Sequence, residues 1–176
     1  MLVTLAIIAV MAAVLLPALN QQIAKGDTGR LSSDLTNIQT AAQAFVSDVH
    51  RYPTTVAQLT TSVSSGTGSL PVALNADGST STIPSALQAK WKGPYLARDV
   101  LSTTGGGGTI STTFTAVAAG ANSYLTVSVT GVGFIDFANI EAVLDEGTTS
   151  TTSTTAGNIR YSSGTSILTF LALPIQ

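Results

Sequence analysis

From Met1 to Leu19 the chain reads MLVTLAIIAVMAAVLLPAL, apolar except for Thr4, and no charged residue precedes Lys25. A helix built from such a run is apolar on every face and must be buried in lipid or in protein. The run just reaches the roughly 20 apolar residues that span a bilayer, and Asn20, Gln21 and Gln22 mark its polar exit. No positive region precedes it, which argues against a cleaved secretory signal. The pattern then changes without stopping. Leu31, Leu35, Ile38, Ala42, Phe45 and Val49 recur at alternating steps of four and three, one face of a helix, with Asp34, Asn37, Gln43 and Asp48 opposite. Together the two patterns predict one helix of about 50 residues, about 75 Å long at ~1.5 Å per residue. Pro17 removes a backbone hydrogen bond and crowds the preceding turn. It is the expected helix break, with a kink or unwound stretch over residues 9–17.

Tyr52-Pro53 ends the helix, because the residue before a proline disfavours helical geometry. Residues 56–63 and 84–89 read as short helical turns, 60–69 as a Ser/Thr/Gly loop, 70–74 as a short apolar segment, and Asn75-Ala76-Asp77-Gly78 as a turn. From residue 100 the pattern becomes strand-like. Residues 109–117 form a Thr/Ile-rich strand. Leu125, Val127 and Val129 alternate with Tyr124, Thr126, Ser128 and Thr130, as in a half-buried strand. Phe134 to Leu144 reads as a short helix whose apolar positions include Ile135, Ala138, Val143 and Leu144. Residues 158–161 and 166–172 pair as a hairpin around Ser163-Gly164. The expected fold is α+β, a long N-terminal helix packed on an antiparallel β-sheet head of about four strands. Residues 1–24 are the apolar helix, 25–51 its amphipathic half, and 52–176 the globular head with Ser/Thr-rich loops.

Composition narrows the function. Only 9% of residues are charged and 44% are hydrophobic, against the roughly 25% charged residues of ordinary soluble domains. Much of the surface is therefore uncharged polar or covered by partners. The net charge is -2, and no Lys or Arg occurs between Asp99 and Arg160. No basic patch points to nucleic acid. The absence of cysteine removes disulfides, thiolate metal sites and Cys nucleophiles.

The block LVTLAIIAVMAAVLLPAL, ending in a proline and followed by the amphipathic stripe and by His50-Arg51-Tyr52-Pro53, resembles the type IV pilins and the pseudopilins of type II secretion. Trp91-Lys92-Gly93-Pro94-Tyr95-Leu96 is similar to another segment of that group. So is the stretch from Asp145-Glu146-Gly147 to Gly157-Asn158-Ile159-Arg160-Tyr161. The resemblance covers the first 55 or so residues and is patchy beyond. It implies a type IV pilin-like fold. Family members carry a glutamate directly before the apolar run, and with Pro17 as the family proline that position falls before Met1. No residue of this sequence inherits its role.

Candidate chemistry is sparse. His50, the single histidine, stands beside Arg51 without a Cys or His partner and reads as structural. Asp136, Glu141, Asp145 and Glu146 do not follow an ordered calcium loop and read as solvated surface. Gly105 to Gly108 lacks the Lys-Ser/Thr ending of a phosphate loop. Lys90, Trp91, Lys92 and Tyr95 mix basic and aromatic residues. Packing of Trp91 and Tyr95 against the long helix is preferred over nucleic-acid contact, which needs several phosphate partners. Thr148, Thr149, Ser150, Thr151, Thr152, Ser153, Thr154 and Thr155 form a dense hydroxyl run. It is either a candidate O-glycosylation segment or a solvated hairpin loop. No Asn-x-Ser/Thr sequon occurs.

The expectation is a non-enzymatic major pilin-like subunit, with no cofactor, no metal and no nucleic-acid partner. Its partners are copies of itself, the inner membrane before assembly, and the pilus assembly machinery. Leu2, Leu5, Ile7, Ile8, Val10, Val14 and Leu15 pack the filament core, each large aliphatic side chain contributing about 1.5–3 kcal/mol on burial. The chain sits in the bacterial inner membrane, then in an extracellular filament. The alternatives are a periplasmic pseudopilus and a monomeric membrane-anchored binding domain. An enzyme requires a pocket that gathers Asp136, Glu141 and His50.

Overall fold

The computed structural model describes residues 2–64, 70–97, 108–145 and 157–175; within the first helix, the side chains of Leu2, residues 5–10, Ala12 and residues 14–25 lie outside the description. Helix α1 runs from Leu2 to Val49. Its backbone stays helical across residues 9–17 and Pro17, so of the kink or unwound stretch that the sequence predicts there, the unwinding does not occur. The whole predicted stripe from Leu31 to Val49 is buried. Asp34 departs from the pattern: it is 2% exposed, and its Oδ2 lies 3.9 Å from Nε of Arg30 one turn earlier. At the end of α1, His50 turns the chain with φ 54°, while its amide donates to the Val46 carbonyl at 2.9 Å. This left-handed residue ends the helix and starts the head.

Strands β1 (Tyr52–Pro53), β2 (Val72–Leu74) and β3 (Thr80–Thr82) form one antiparallel sheet in that order. The predicted turn joins β2 to β3. Gly78 takes φ 82°, and Asp77 Oδ1 accepts from the Ser79 hydroxyl at 2.6 Å and amide at 2.9 Å. These bonds, the hydroxyl's first, hold the Asp77 carboxyl below its ordinary range. Single-turn helices α2 (Ala57–Thr60) and α3 (Ser85–Gln88) flank this sheet in sequence.

The second sheet is antiparallel, in the order β4 (Thr109–Ile110), β6 (Asn122–Thr130), β8 (Ile167–Ile175), β7 (Ile159–Ser162). β5 (Thr115–Ala119) pairs with β6 beside β4. The stretch predicted as one strand at 109–117 is thus two. Between them Thr113 bridges back to Thr55. β7 and β8 form the hairpin expected around Ser163-Gly164. The β6–β8 register shifts between Leu125 and Thr126, so Ala172 bulges out of the ladder. The Ala172 carbonyl instead accepts from the Gln39 amide of α1 at 2.7 Å. Helix α4 (Phe134–Leu144) follows β6 and packs against α1.

The type IV pilin-like fold expected from the sequence, a long N-terminal helix packed on one antiparallel sheet, is overturned. The chain is α+β and its sheets are antiparallel, but the strands divide between two sheets, because the segment from β1 to β3 closes on itself through its own turn. A long helix packed along its length is not what the head holds. Among the described residues of α1, burial begins only at Thr28, where the apolar positions narrow to a stripe that fits one surface. Among the described residues no helix is long and apolar enough to cross a membrane, which fits poorly with the expected inner-membrane stage.

Candidate functional site

Five large hydrophobic side chains are exposed among the described residues, and they fall in two places. Val3 (72% exposed) and Met11 (61%) lie on the first half of α1, where Thr4 and Ala13 are exposed as well. Ile135 (75%), Val143 (60%) and Phe134 (47%) lie on α4. Scattered exposed apolar residues need no explanation, but clustered ones mark an interaction surface. The expected core-packing residues Leu2, Leu5, Ile7, Ile8, Val10, Val14 and Leu15 sit on this same half of α1, as does Pro17. Their side chains lie outside the described residues.

Helix α4 places its residues against the usual preference. Phe137, Ile140 and Glu141 face inward; Phe134, Ile135, Ala138, Asn139, Ala142 and Val143 face outward. By composition Ile135, Ala138 and Val143 suit the core, and all three are exposed. Aromatic packing fixes this orientation. Phe137 stacks on Tyr161 with ring centroids 4.7 Å apart, and Phe134 lies 6.2 Å from each. The Tyr161 hydroxyl donates to the Val132 carbonyl at 2.9 Å, pinning the entry to the helix.

Turning Glu141 inward has an electrostatic consequence. Burial, and then the nearby Asp145 carboxylate, push its pKa up. A carboxyl whose folded pKa lies above its unfolded value is protonated more readily in the folded state. Its penalty is absent below the unfolded pKa and grows as pH rises through the folded one. Glu141→Gln is therefore expected to raise the melting temperature slightly near neutral pH and to leave it nearly unchanged at about pH 4. Calorimetry at both pH values tests this; an equal shift at both would mean that charge is not the cause.

The remaining candidates scatter. His50 is exposed and lies in a shallow groove with Arg51, Tyr52 and Asn75. Asp136 lines a small cleft with Asp27 and Thr28. Along α1, Asp27 and His50 are separated by about 35 Å at ~1.5 Å per residue. The structure does not bring His50, Asp136 and Glu141 together. Among the described residues no group of three or more His, Asp or Glu side chains is placed to hold a metal. Asp145 serves the fold instead, accepting from the Asn158 amide at 3.0 Å and the Ile159 amide at 2.9 Å. It thereby ties together the two ends of the segment that contains the hydroxyl run. That run, Thr148 to Thr155, lies outside the described residues, as do Glu146 and Gly105 to Gly107.

The basic-aromatic segment packs on α1. The Tyr95 ring meets Phe45 edge-on at 5.9 Å and Trp91 at 5.6 Å. Its hydroxyl donates to Asp48 Oδ2 at 3.0 Å and accepts from the Lys92 amide at 2.9 Å. Burial first, opposed by the Lys92 amide, leaves the Tyr95 pKa raised.

Gln58 escapes sequence reasoning. It is fully buried. Its Oε1 accepts from the Thr54 amide at 2.6 Å and the Thr55 amide at 3.1 Å. Its Nε2 donates to the carbonyls of Val72 at 2.6 Å and Leu70 at 2.7 Å. The nearest sequence signal is one glutamine inside an otherwise apolar-flanked turn, Val56-Ala57-Gln58-Leu59.

No protein-family model, no curated protein and no solved structure matches this chain.

Proposed function

We propose that this chain is a structural subunit that self-assembles through the first half of α1 into a helical extracellular filament. The observation that carries the reading is the exposure of Val3 and Met11 on a helical segment with no charge in its first 24 residues. A helix apolar on all sides is covered by several neighbours rather than by one, and copies of the same segment supply them. The described side chains of that half, Val3, Thr4, Met11 and Ala13, are all exposed, and burial on α1 begins at Thr28 among the described residues. The low charge of the whole chain suits a protein whose surface is largely shared with copies of itself. The resemblance of the first 55 or so residues to type IV pilins and pseudopilins supports the same role.

The test uses the purified full chain, with sedimentation velocity and electron microscopy. The wild-type protein is expected to form filaments. Met11→Asp is expected to abolish them while preserving the far-ultraviolet circular dichroism per residue, because an unpaired carboxylate in an apolar core costs several kcal/mol. Filaments that persist with Met11→Asp, or a wild-type chain that stays monomeric at every concentration, would sink the reading.

A further inference from the structure

We propose that strand β5 is an open sheet edge on which a second copy of this chain lays its own β5, antiparallel, about a two-fold axis through Val117. The contact uses none of the residues that carry the filament reading, so the two stand or fall separately.

Backbone direction comes first. The Ser128 carbonyl of β6 accepts from the Ser111 amide at 2.8 Å, so the even-numbered residues of β6 turn their amides and carbonyls toward β4 and β5. In an antiparallel ladder hydrogen-bonded and non-bonded pairs alternate. Thr126, Tyr124 and Asn122 therefore bond to their register partners Thr115, Val117 and Ala119, and Ala116 and Ala118 point the other way. The chain just before β5 has the same sense. The Thr112 carbonyl accepts from the Val56 amide at 2.9 Å, and the Phe114 amide donates to the Thr54 carbonyl at 2.8 Å. Thr54 to Val56 thus cover this edge at residues 112 and 114. Among the described residues no backbone hydrogen bond continues that cover to 116 and 118, and Thr115 and Ala118 are exposed.

Native sheets guard their edges with charge, with proline or by keeping the edge strand short. The other edges here are guarded. β1 contains Pro53, β3 has three residues and is followed by Pro84, β4 has two residues, and β7 carries Arg160. β5 has five residues and no such guard, since the chain holds neither a charge nor a proline between Asp99 and Asp136.

The occupant follows from the complementarity of this edge with itself. Turned about Val117, a second β5 sets its Ala118 opposite Ala116 and its Ala116 opposite Ala118. Each such pair exchanges amide-to-carbonyl bonds in both directions, so every outward donor meets an outward acceptor. No charge on β5 opposes the approach, and the side chains at the join are alanine and valine. The two Val117 residues meet as a non-hydrogen-bonded pair with Cα atoms about 4.5 Å apart. The same patch serves on both copies, so the contact closes on a pair.

That separation lies within the reach of a disulfide, and the chain has no cysteine of its own. In the full-length Met11→Asp protein, Val117→Cys is expected to form disulfide-linked dimers on mild oxidation several-fold faster than Ser163→Cys, an exposed position between β7 and β8. Sedimentation equilibrium gives a second readout. Val117→Lys and Val117→Glu each place like charges opposite one another across the two-fold axis. Each is expected to weaken dimerisation at least tenfold, whereas an equimolar mixture of the two is expected to dimerise again, which also excludes misfolding as the cause of the loss. Val117→Cys that links no faster than Ser163→Cys, or a mixture of the Lys and Glu variants that remains monomeric, overturns the pairing and leaves the filament reading untouched. Dimers that persist undiminished in both charged variants alone overturn it as well, because the join then lies elsewhere.

Discussion

Replacing Gln58 by leucine is expected to destabilise the head by about 3–5 kcal/mol, a large share of the 5–15 kcal/mol that holds a typical domain folded. The substitution conserves size roughly, so packing is not the main loss. What disappears is a set of polar partners. The amides of Thr54 and Thr55 lose the acceptor at 2.6 and 3.1 Å. The carbonyls of Leu70 and Val72 lose the donor at 2.7 and 2.6 Å. A buried polar group left without a partner costs about 1–3 kcal/mol, and such costs are not strictly additive. Because Gln58 ties α2 to β1 and to the approach to β2, its loss frees the whole three-stranded sheet. The single tryptophan reports on it, since Trp91 Nε1 donates to the Gln58 carbonyl at 3.0 Å. Urea unfolding followed by Trp91 fluorescence is the measurement, made in the Met11→Asp background so that assembly does not add apparent stability. Gln58→Glu separates geometry from charge. One carboxylate oxygen keeps the two amides, while the other faces two carbonyls that it can satisfy only when protonated. That variant is expected to regain stability as pH falls into the carboxylate range. A loss below about 1 kcal/mol for leucine would mean that water replaces the amide.

Phe45→Ala is expected to cost about 3–5 kcal/mol, the range for removing a fully buried aromatic side chain. Phe45 is completely buried in the middle of the α1 stripe and supports Tyr95 edge-on with 79° between the rings. Tyr95 in turn holds Trp91 at 82° and binds Asp48 through its hydroxyl. The cavity therefore opens beneath a relay of side chains that can relax only by giving up the Asp48 bond. Phe45→Leu keeps most of the volume and is expected to cost under about 2 kcal/mol. Chemical denaturation read by circular dichroism and by Trp91 fluorescence should give coincident transitions if the α1 stripe and the head unfold as one unit. Two separate transitions would show that the segment around Trp91 is not coupled to α1.

Some of this architecture is written locally. The period of Leu31, Leu35, Ile38, Ala42, Phe45 and Val49 places each of them in the core. The Asn75–Gly78 turn, the β7–β8 hairpin and the bounds of α4 follow from turn chemistry and periodicity over a few residues. These features depend on spacing along one element, and spacing is what a sequence displays. The charge-free first 24 residues belong here too, because no tertiary arrangement can alter the need to cover them.

Other features depend on what stands opposite. In α4 apolar positions occur all round the helix, so the sequence offers two inner faces; stacking of Phe137 on Tyr161, a residue 24 places downstream, selects the one that buries Glu141. Asp34 reads as solvent-facing by period, yet lies buried with Arg30 one turn away. Gln58 acquires its role from carbonyls 12 and 14 residues further on, and Gln39 from a bulge 133 residues away. The division into two sheets likewise turns on which strands meet, not on which segments are extended. The helical stripe, the turns and the charge-free apolar segment are legible residue by residue, because each arises from forces acting within a few positions of the chain. The outward face of α4 and the identity of the buried polar groups are not, because hydrogen-bond partners and ring stacks distant in the chain set the balance there.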